Sequence, residues 1–118
     1  MENKLGAMEM RFAELIWANS PIQSGELVRL CEKELNWKKS TTYTMLRRLC
    51  QRGIFRNEGS TVYTVLTRAE FDQKETNAFV EEKFGGSLPR FLAAFTTGKK
   101  LSDTEIDALQ KLIDNSRR

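Results

Sequence analysis

Residues 38–53 read KKSTTYTMLRRLCQRG. Two lysines stand at the start of a helix-length segment, small hydroxyl residues follow, then two arginines, and no acidic residue interrupts the run. Thr42, Met45, Leu46 and Leu49 recur at i, i+3, i+4 and i+7, which predicts a helix over about 40–52 with those four turned inward. Gly53 closes it as a C-cap. Ser40, Thr41, Tyr43, Thr44, Arg47, Arg48 and Gln51 are left on the outer side. Lysines at a helix start oppose the macrodipole, and Lys38 occupies a position where Ser, Thr or Asp caps better. A local rule broken in this way points to an external ligand. Phosphate fits, because ammonium groups and free backbone N–H groups at a helix start bind it together.

Upstream, Met10, Ala13, Leu15, Ile16 and Trp17 predict a first helix over about 7–18. Gly6 is its expected N-cap, Glu9 is favourable in its first turn, and Asn19-Ser20-Pro21 ends it. A second helix over about 24–35 is capped by Ser24 and buries Leu27, Leu30, Cys31 and Leu35. After Gly53 the period changes. Ile54-Phe55-Arg56, Asn57-Glu58-Gly59 and Thr61 to Val65 read as strand, tight turn, strand. Three helices followed by a hairpin is the winged helix-turn-helix order, in which the third helix enters the major groove. The short side chains of Ser40, Thr41 and Thr44 let that helix sit deep. With Lys39 they are assigned to DNA bases, whereas Lys38, Arg47, Arg48 and Arg56 are assigned to phosphates.

Downstream, Thr67-x-x-Glu70 is a capping box opening a helix over about 68–84 that carries Phe71, Ala78 and Phe79. Gly85-Gly86 breaks it. Ser87-Leu-Pro starts a short helix bearing Phe91, Leu92 and Phe95, and Ser102-x-x-Glu105 opens a last helix bearing Ile106, Leu109, Leu112 and Ile113. Three short helices cannot cover so many large apolar side chains alone, whereas a second copy of the chain can. The expected fold is mainly α with a small β-hairpin wing: a winged-helix DNA-binding domain over residues 1–66 and a helical dimerisation domain over 67–118. The dimer contact is assigned to Phe71, Phe79, Phe91, Leu92, Phe95, Ile106, Leu109, Leu112 and Ile113.

Charge distribution supports this division. Residues 1–66 hold ten Lys/Arg against seven Asp/Glu, and residues 67–118 hold nine of each, so the whole excess of +3 lies in the first part. Positions 38–57 carry Lys38, Lys39, Arg47, Arg48, Arg52 and Arg56 and no acid, the footprint of a polyanion-binding surface. The chain has no histidine, and Cys31 and Cys50 are its only cysteines. Neither a Cys–His nucleophile nor a zinc site of ordinary spacing assembles from that set, so no catalytic residue, metal or cofactor is expected. The two cysteines are expected as reduced thiols in helices. No apolar run reaches the ~20 residues of a membrane span, and MENKLGAMEM lacks the apolar centre of a signal peptide, so the expected location is cytoplasmic.

The segment from Leu5 to Phe55 resembles the penicillinase-repressor family, which includes the methicillin-resistance regulator. The shared features are a first helix ending in Ile16-Trp17, the run from Thr41 to Leu49, a glycine-containing wing ending in Tyr63-Thr64, and Leu-Ser-x-x-Glu-Ile at Leu101 to Ile106. The resemblance implies a homodimeric transcriptional repressor on an inverted-repeat operator of double-stranded DNA, controlling antibiotic-resistance or cell-wall genes. It further implies relief through a membrane sensor protease pathway, by a cut at Ala94-Phe95, where relatives have Asn-Phe. The chain departs from the family at Ser60-Thr61, where a basic residue often follows the wing glycine, and at Val65, where a proline is usual. A copper-responsive branch carries a C-terminal cysteine cluster, and here no cysteine follows Cys50.

Two other readings keep the same fold. A protein-interaction module would show exposed apolar residues on the third helix, and that face is instead basic and hydroxylated. A winged helix that binds DNA with little sequence preference would share the basic face and differ only in its response to competitor DNA. A small enzyme would need a catalytic constellation, and none is legible.

Overall fold

The computed structural model describes residues 4–117. Their elements run α1 (Ala7–Asn19), β1 (Ile22–Gln23), α2 (Ser24–Leu35), α3 (Lys39–Gln51), β2 (Phe55–Glu58), β3 (Thr61–Thr64), α4 (Arg68–Phe84), α5 (Leu88–Thr96) and α6 (Asp103–Asn115). Contacts divide the chain into two compact units, one ending at Ala78 and the other beginning at Phe79. The division falls inside α4, past the Leu66 boundary suggested by the change of sequence pattern.

In the first unit, Gly6 is extended at the N-cap of α1, and its N–H donates to the Glu9 carboxylate at 2.9 Å. Phe12, Ala13 and Ile16 form the buried stripe of α1. On α2 the stripe is Ser24, Leu27, Cys31 and Leu35, spaced three and four apart. Asn36 then turns left-handed (φ 57°) and its N–H bonds the Glu32 carbonyl, ending the helix. On α3 the buried positions are Thr42, Leu46 and Leu49, with Met45 only half-buried.

A three-stranded antiparallel sheet closes this core in the order β1-β3-β2. β2 and β3 pair with Phe55 opposite Thr64, Arg56 opposite Tyr63 and Glu58 opposite Thr61. Gly59 (φ 56°) and Ser60 (φ 65°) form the two-residue turn between them. Positive φ at both positions is the geometry whose twist matches that of the flanking strands. The third strand, β1, is absent from the sequence reading. It pairs Ile22 with Val62 and Gln23 with Thr61.

Phe12, Ile16, Leu27, Leu49 and Val62 have no exposure, and Leu46, Ile54 and Phe55 have 2%. Trp17 extends this core. Its ring lies 5.6 Å from Phe55 and 5.8 Å from Phe71, and its Nε1–H donates to the Leu66 carbonyl at 2.9 Å. Phe71 is consequently 4% exposed. Its assignment to a dimer contact is therefore corrected: the side chain fills the winged-helix core of its own chain.

In the second unit, Phe79, Phe84, Phe91 and Phe95 form a chain of rings with centroids 5.7–6.2 Å apart. Gly85 and Gly86 take positive φ between α4 and α5. Ser87 accepts from the Arg90 N–H at 3.2 Å, starting α5. Ser102 and Glu105 exchange two bonds, 3.0 and 3.1 Å, at the start of α6. No residue of α5 or α6 is buried. Phe91, Leu92, Phe95, Leu101, Leu109 and Leu112 line an open groove of about 400 Å³.

Candidate nucleic-acid interface

Helix α3 starts with Lys38 at the N-cap, without a side-chain capping bond and without an acid in the first turn. The Thr42 hydroxyl, buried beneath, donates to the Lys38 carbonyl at 3.3 Å, so the inner side of the first turn is satisfied. Lys38, Lys39, Ser40, Thr41, Thr44, Arg47, Arg48 and Gln51 are all exposed. The four residues assigned to bases thus share the outward side of the first two turns, flanked by cations on the same helix.

Tyr43 differs from its sequence expectation. It is half-buried, and its hydroxyl donates to the Ser24 hydroxyl at 3.2 Å. Ser24 also differs, being the first residue of α2 with Gln23 at the N-cap.

The cations are not equivalent. Arg48 stands 3.9 Å from the Glu9 carboxylate and donates weakly to the Met45 sulfur at 3.8 Å. Arg47 has no ion pair among the described residues, and it borders a small hollow of about 190 Å³ with Tyr43, Leu46, Cys50 and Asn57. In the wing, the Arg56 guanidinium lies 4.6 Å over the Tyr63 ring and its Nε is 3.5 Å from Glu58. Stacking on an aromatic face restricts Arg56 to the outer side of the hairpin. Sequence reasoning missed Tyr63 in this role because it put the turn at Asn57-Glu58-Gly59; Asn57 and Glu58 lie in β2 and the turn is Gly59-Ser60, which places residue 63 opposite residue 56.

Burial pushes the Cys31 thiol above its ordinary value of 9.0, opposed in smaller part by the polar Thr42 side chain. Burial also pushes Cys50 up, opposed by the Asn57 backbone. Both cysteines are free, as expected, and both favour the neutral thiol over the nucleophilic thiolate.

A helix-turn-helix whose outer helix is basic, followed by a two-stranded wing, defines the winged-helix class. Residues 5–115 match the model of the family described as penicillinase repressor, and the chain belongs to that family. It is 26% identical over 113 residues to the penicillinase repressor of Bacillus licheniformis, across 92% of this chain and 88% of that protein. It is 27% identical over 115 residues to an uncharacterized 16.5 kDa protein in the ptsI 3′ region of Latilactobacillus sakei, across 94% and 79%. The family places the chain among transcriptional repressors rather than enzymes, in agreement with the resemblance carried by Thr41 to Leu49. Among the described residues, no helix is long and apolar enough to cross a membrane.

Proposed function

We propose that the chain represses transcription as a homodimer on an inverted-repeat operator, with Lys39, Ser40, Thr41 and Thr44 reading bases and Lys38, Arg47, Arg48 and Arg56 holding phosphates. The observation that carries this reading is the outer face of α3, exposed except at Tyr43, basic and free of acids along two turns. No intramolecular role accounts for cations collected at the positive end of a helix. The DNA-binding role is assigned to residues 1–66 and the dimerisation role to 67–118, less Phe71.

Dimerisation is supported by the apolar surface of the second unit. Phe79, Phe95, Ile106, Leu112 and Ile113 are each more than a third exposed. Two copies covering those faces would hold two α3 helices for two half-sites, and linked half-sites multiply in effective concentration.

Relief by proteolysis at Ala94-Phe95 belongs to the same proposal. Both residues are exposed in the last turn of α5, where the Thr97 N–H makes a long 3.4 Å bond to the Ala94 carbonyl. A helix end frays more readily than its middle, which suits entry into a protease cleft. A cut there would sever α5 from α6 and with it the apolar groove. The regulated genes are proposed to be those of antibiotic resistance or the cell wall, and the trigger a membrane sensor protease pathway.

Gel shifts on the DNA upstream of the chain's own gene, with random competitor, test the central reading. A shift that survives excess random duplex is expected. Equal competition by random DNA would replace specific repression with binding of little sequence preference. A blot of the intact chain after a cell-wall antibiotic tests relief: target genes switching on over an uncut repressor would exclude proteolysis.

A further inference from the structure

We infer that Ser24 is a positioning residue that holds the recognition helix and the wing in one DNA-reading frame. The inference rests on the DNA-binding reading above. Ser24 is 7% exposed and makes two bonds in two directions. Its hydroxyl accepts from Tyr43 of α3 at 3.2 Å, and its backbone N–H donates to the Ser60 carbonyl in the wing turn at 2.8 Å.

Neither bond is what local chain chemistry calls for. A serine at a helix start ordinarily serves as the N-cap, its oxygen taking an N–H of the first turn. Here Gln23 holds the N-cap, and the Ser24 oxygen faces sideways to a neighbouring helix. The first N–H of a helix has no partner within that helix. Here it is the last rung of the β1–β3 ladder, following Ile22 opposite Val62 and Gln23 opposite Thr61. One buried residue therefore ties α3 and the wing turn, which lie 19 and 36 positions downstream in sequence.

The apolar core cannot set this alignment alone. Thr42, Leu46 and Leu49 press α3 onto its neighbours, but apolar contact is non-directional and tolerates a small roll of the helix. A hydrogen bond at the end of a long tyrosine side chain is directional and opposes that roll. Tyr43 sits between Thr41 and Thr44, so the roll it opposes is the one that would displace both from base edges. Base readout needs groups placed to about 0.5 Å, whereas phosphate contact by long cations does not. Loss of the tether should therefore reduce selectivity and leave the salt dependence intact.

The test uses the full-length chain with Tyr43→Phe, Ser24→Ala and the double variant. Fluorescence anisotropy gives affinities for an operator duplex from the chain's own promoter and for a random duplex of equal length. Hydrogen exchange at the Ser24 amide follows its bond to the Ser60 carbonyl in the wing turn. Each single variant should lower the operator-to-random ratio about 2- to 10-fold, the span of one neutral hydrogen bond. The salt slope should stay unchanged, because no phosphate contact is removed. The double variant should be no worse than the weaker single, since both delete the same bond. Exchange at the Ser24 amide should rise in all three. Singles with the wild-type ratio, or additive losses in the double, overturn the inference. If the wild-type chain shows no preference for the operator, the repressor reading fails instead, and unchanged exchange at the Ser24 amide in Tyr43→Phe then overturns the joint by itself.

Discussion

Arg47→Ala removes one cation that makes no ion pair among the described residues. Arg48 stands 3.9 Å from Glu9 and Arg56 3.5 Å from Glu58, while Arg47 has no ion pair among the described residues. Its guanidinium reaches a phosphate without leaving a carboxylate behind. Each phosphate neutralised on B-DNA contributes about 0.9 to the slope of log affinity against log salt. The variant should flatten that slope by about 0.9. Over a fourfold rise in salt, from about 50 to about 200 mM, one such contact accounts for a factor of about 3.5, which is four raised to the power 0.9. Arg48→Ala should lose less affinity, because Arg48 must first part from Glu9, and an ion pair of that exposure is worth about 0.2–1 kcal/mol. Thr44→Ala provides the contrast: the slope stays, and the gap between operator and random DNA narrows. Anisotropy titrations of the three variants at four salt concentrations separate these outcomes. An unchanged slope for Arg47→Ala, or a loss confined to the operator duplex, refutes the assignment of that side chain to the backbone.

Three more outcomes are expected. Phe71→Ala should destabilise the winged-helix unit by about 3–5 kcal/mol, the cost of emptying a buried aromatic site, as read by urea melts of tryptophan emission. Leu112→Asp should leave that unit's melt unchanged, since Leu112 is 64% exposed within one chain. In sedimentation at roughly 20 micromolar, a concentration in the weak-dimer range, it should shift the chain to monomer; a wild-type chain already monomeric there defeats the dimer proposal. The third concerns pH. Burial raises the folded-state values of Cys31 and Cys50, so the folded chain keeps neutral thiols while the unfolded chain ionises near 9.0. That stabilisation is complete below pH 9 and is lost as pH rises through the folded values. Denaturant melts between pH 8 and about 10.5 should show a shallower decline for Cys31→Ala than for wild type.

Legibility in the sequence followed the range of the forces. Capping boxes at Thr67-Glu70 and Ser102-Glu105 form where the sequence places them, because each involves residues three apart. The boundaries of α3 and its inward Thr42, Leu46 and Leu49 follow from helical periodicity alone. Strand β1 left no signal. Two residues cannot show alternation, and Ile22-Gln23 is a strand only because Val62 and Thr61 lie beside it. Periodicity puts Tyr43 outward because it sorts residues by face and does not see a hydroxyl on α2. Sequence pattern groups Phe71 with the C-terminal apolar residues because it shares a helix with Phe79, whereas Trp17, far upstream, decides where it packs. At the interface, the sequence showed the cations but not which of them has a carboxylate partner: Arg48 meets Glu9 through tertiary placement and Arg56 meets Glu58 on the same face of β2, while Arg47 has no ion pair among the described residues.

The placement of aromatic side chains has a spectroscopic consequence. Both tryptophans lie in the first unit, Trp17 against Phe55 and Phe71 and Trp37 with its ring 5.2 Å from Phe12. Both tyrosines are there as well, and the rings of the second unit are all phenylalanine. Tryptophan emission therefore follows the winged helix alone, while far-ultraviolet circular dichroism sums the helices of both units. If the two denaturation curves separate, they count two cooperative transitions within one chain. Repeating the pair at several protein concentrations then identifies which transition moves, and the moving one belongs to the unit that self-associates.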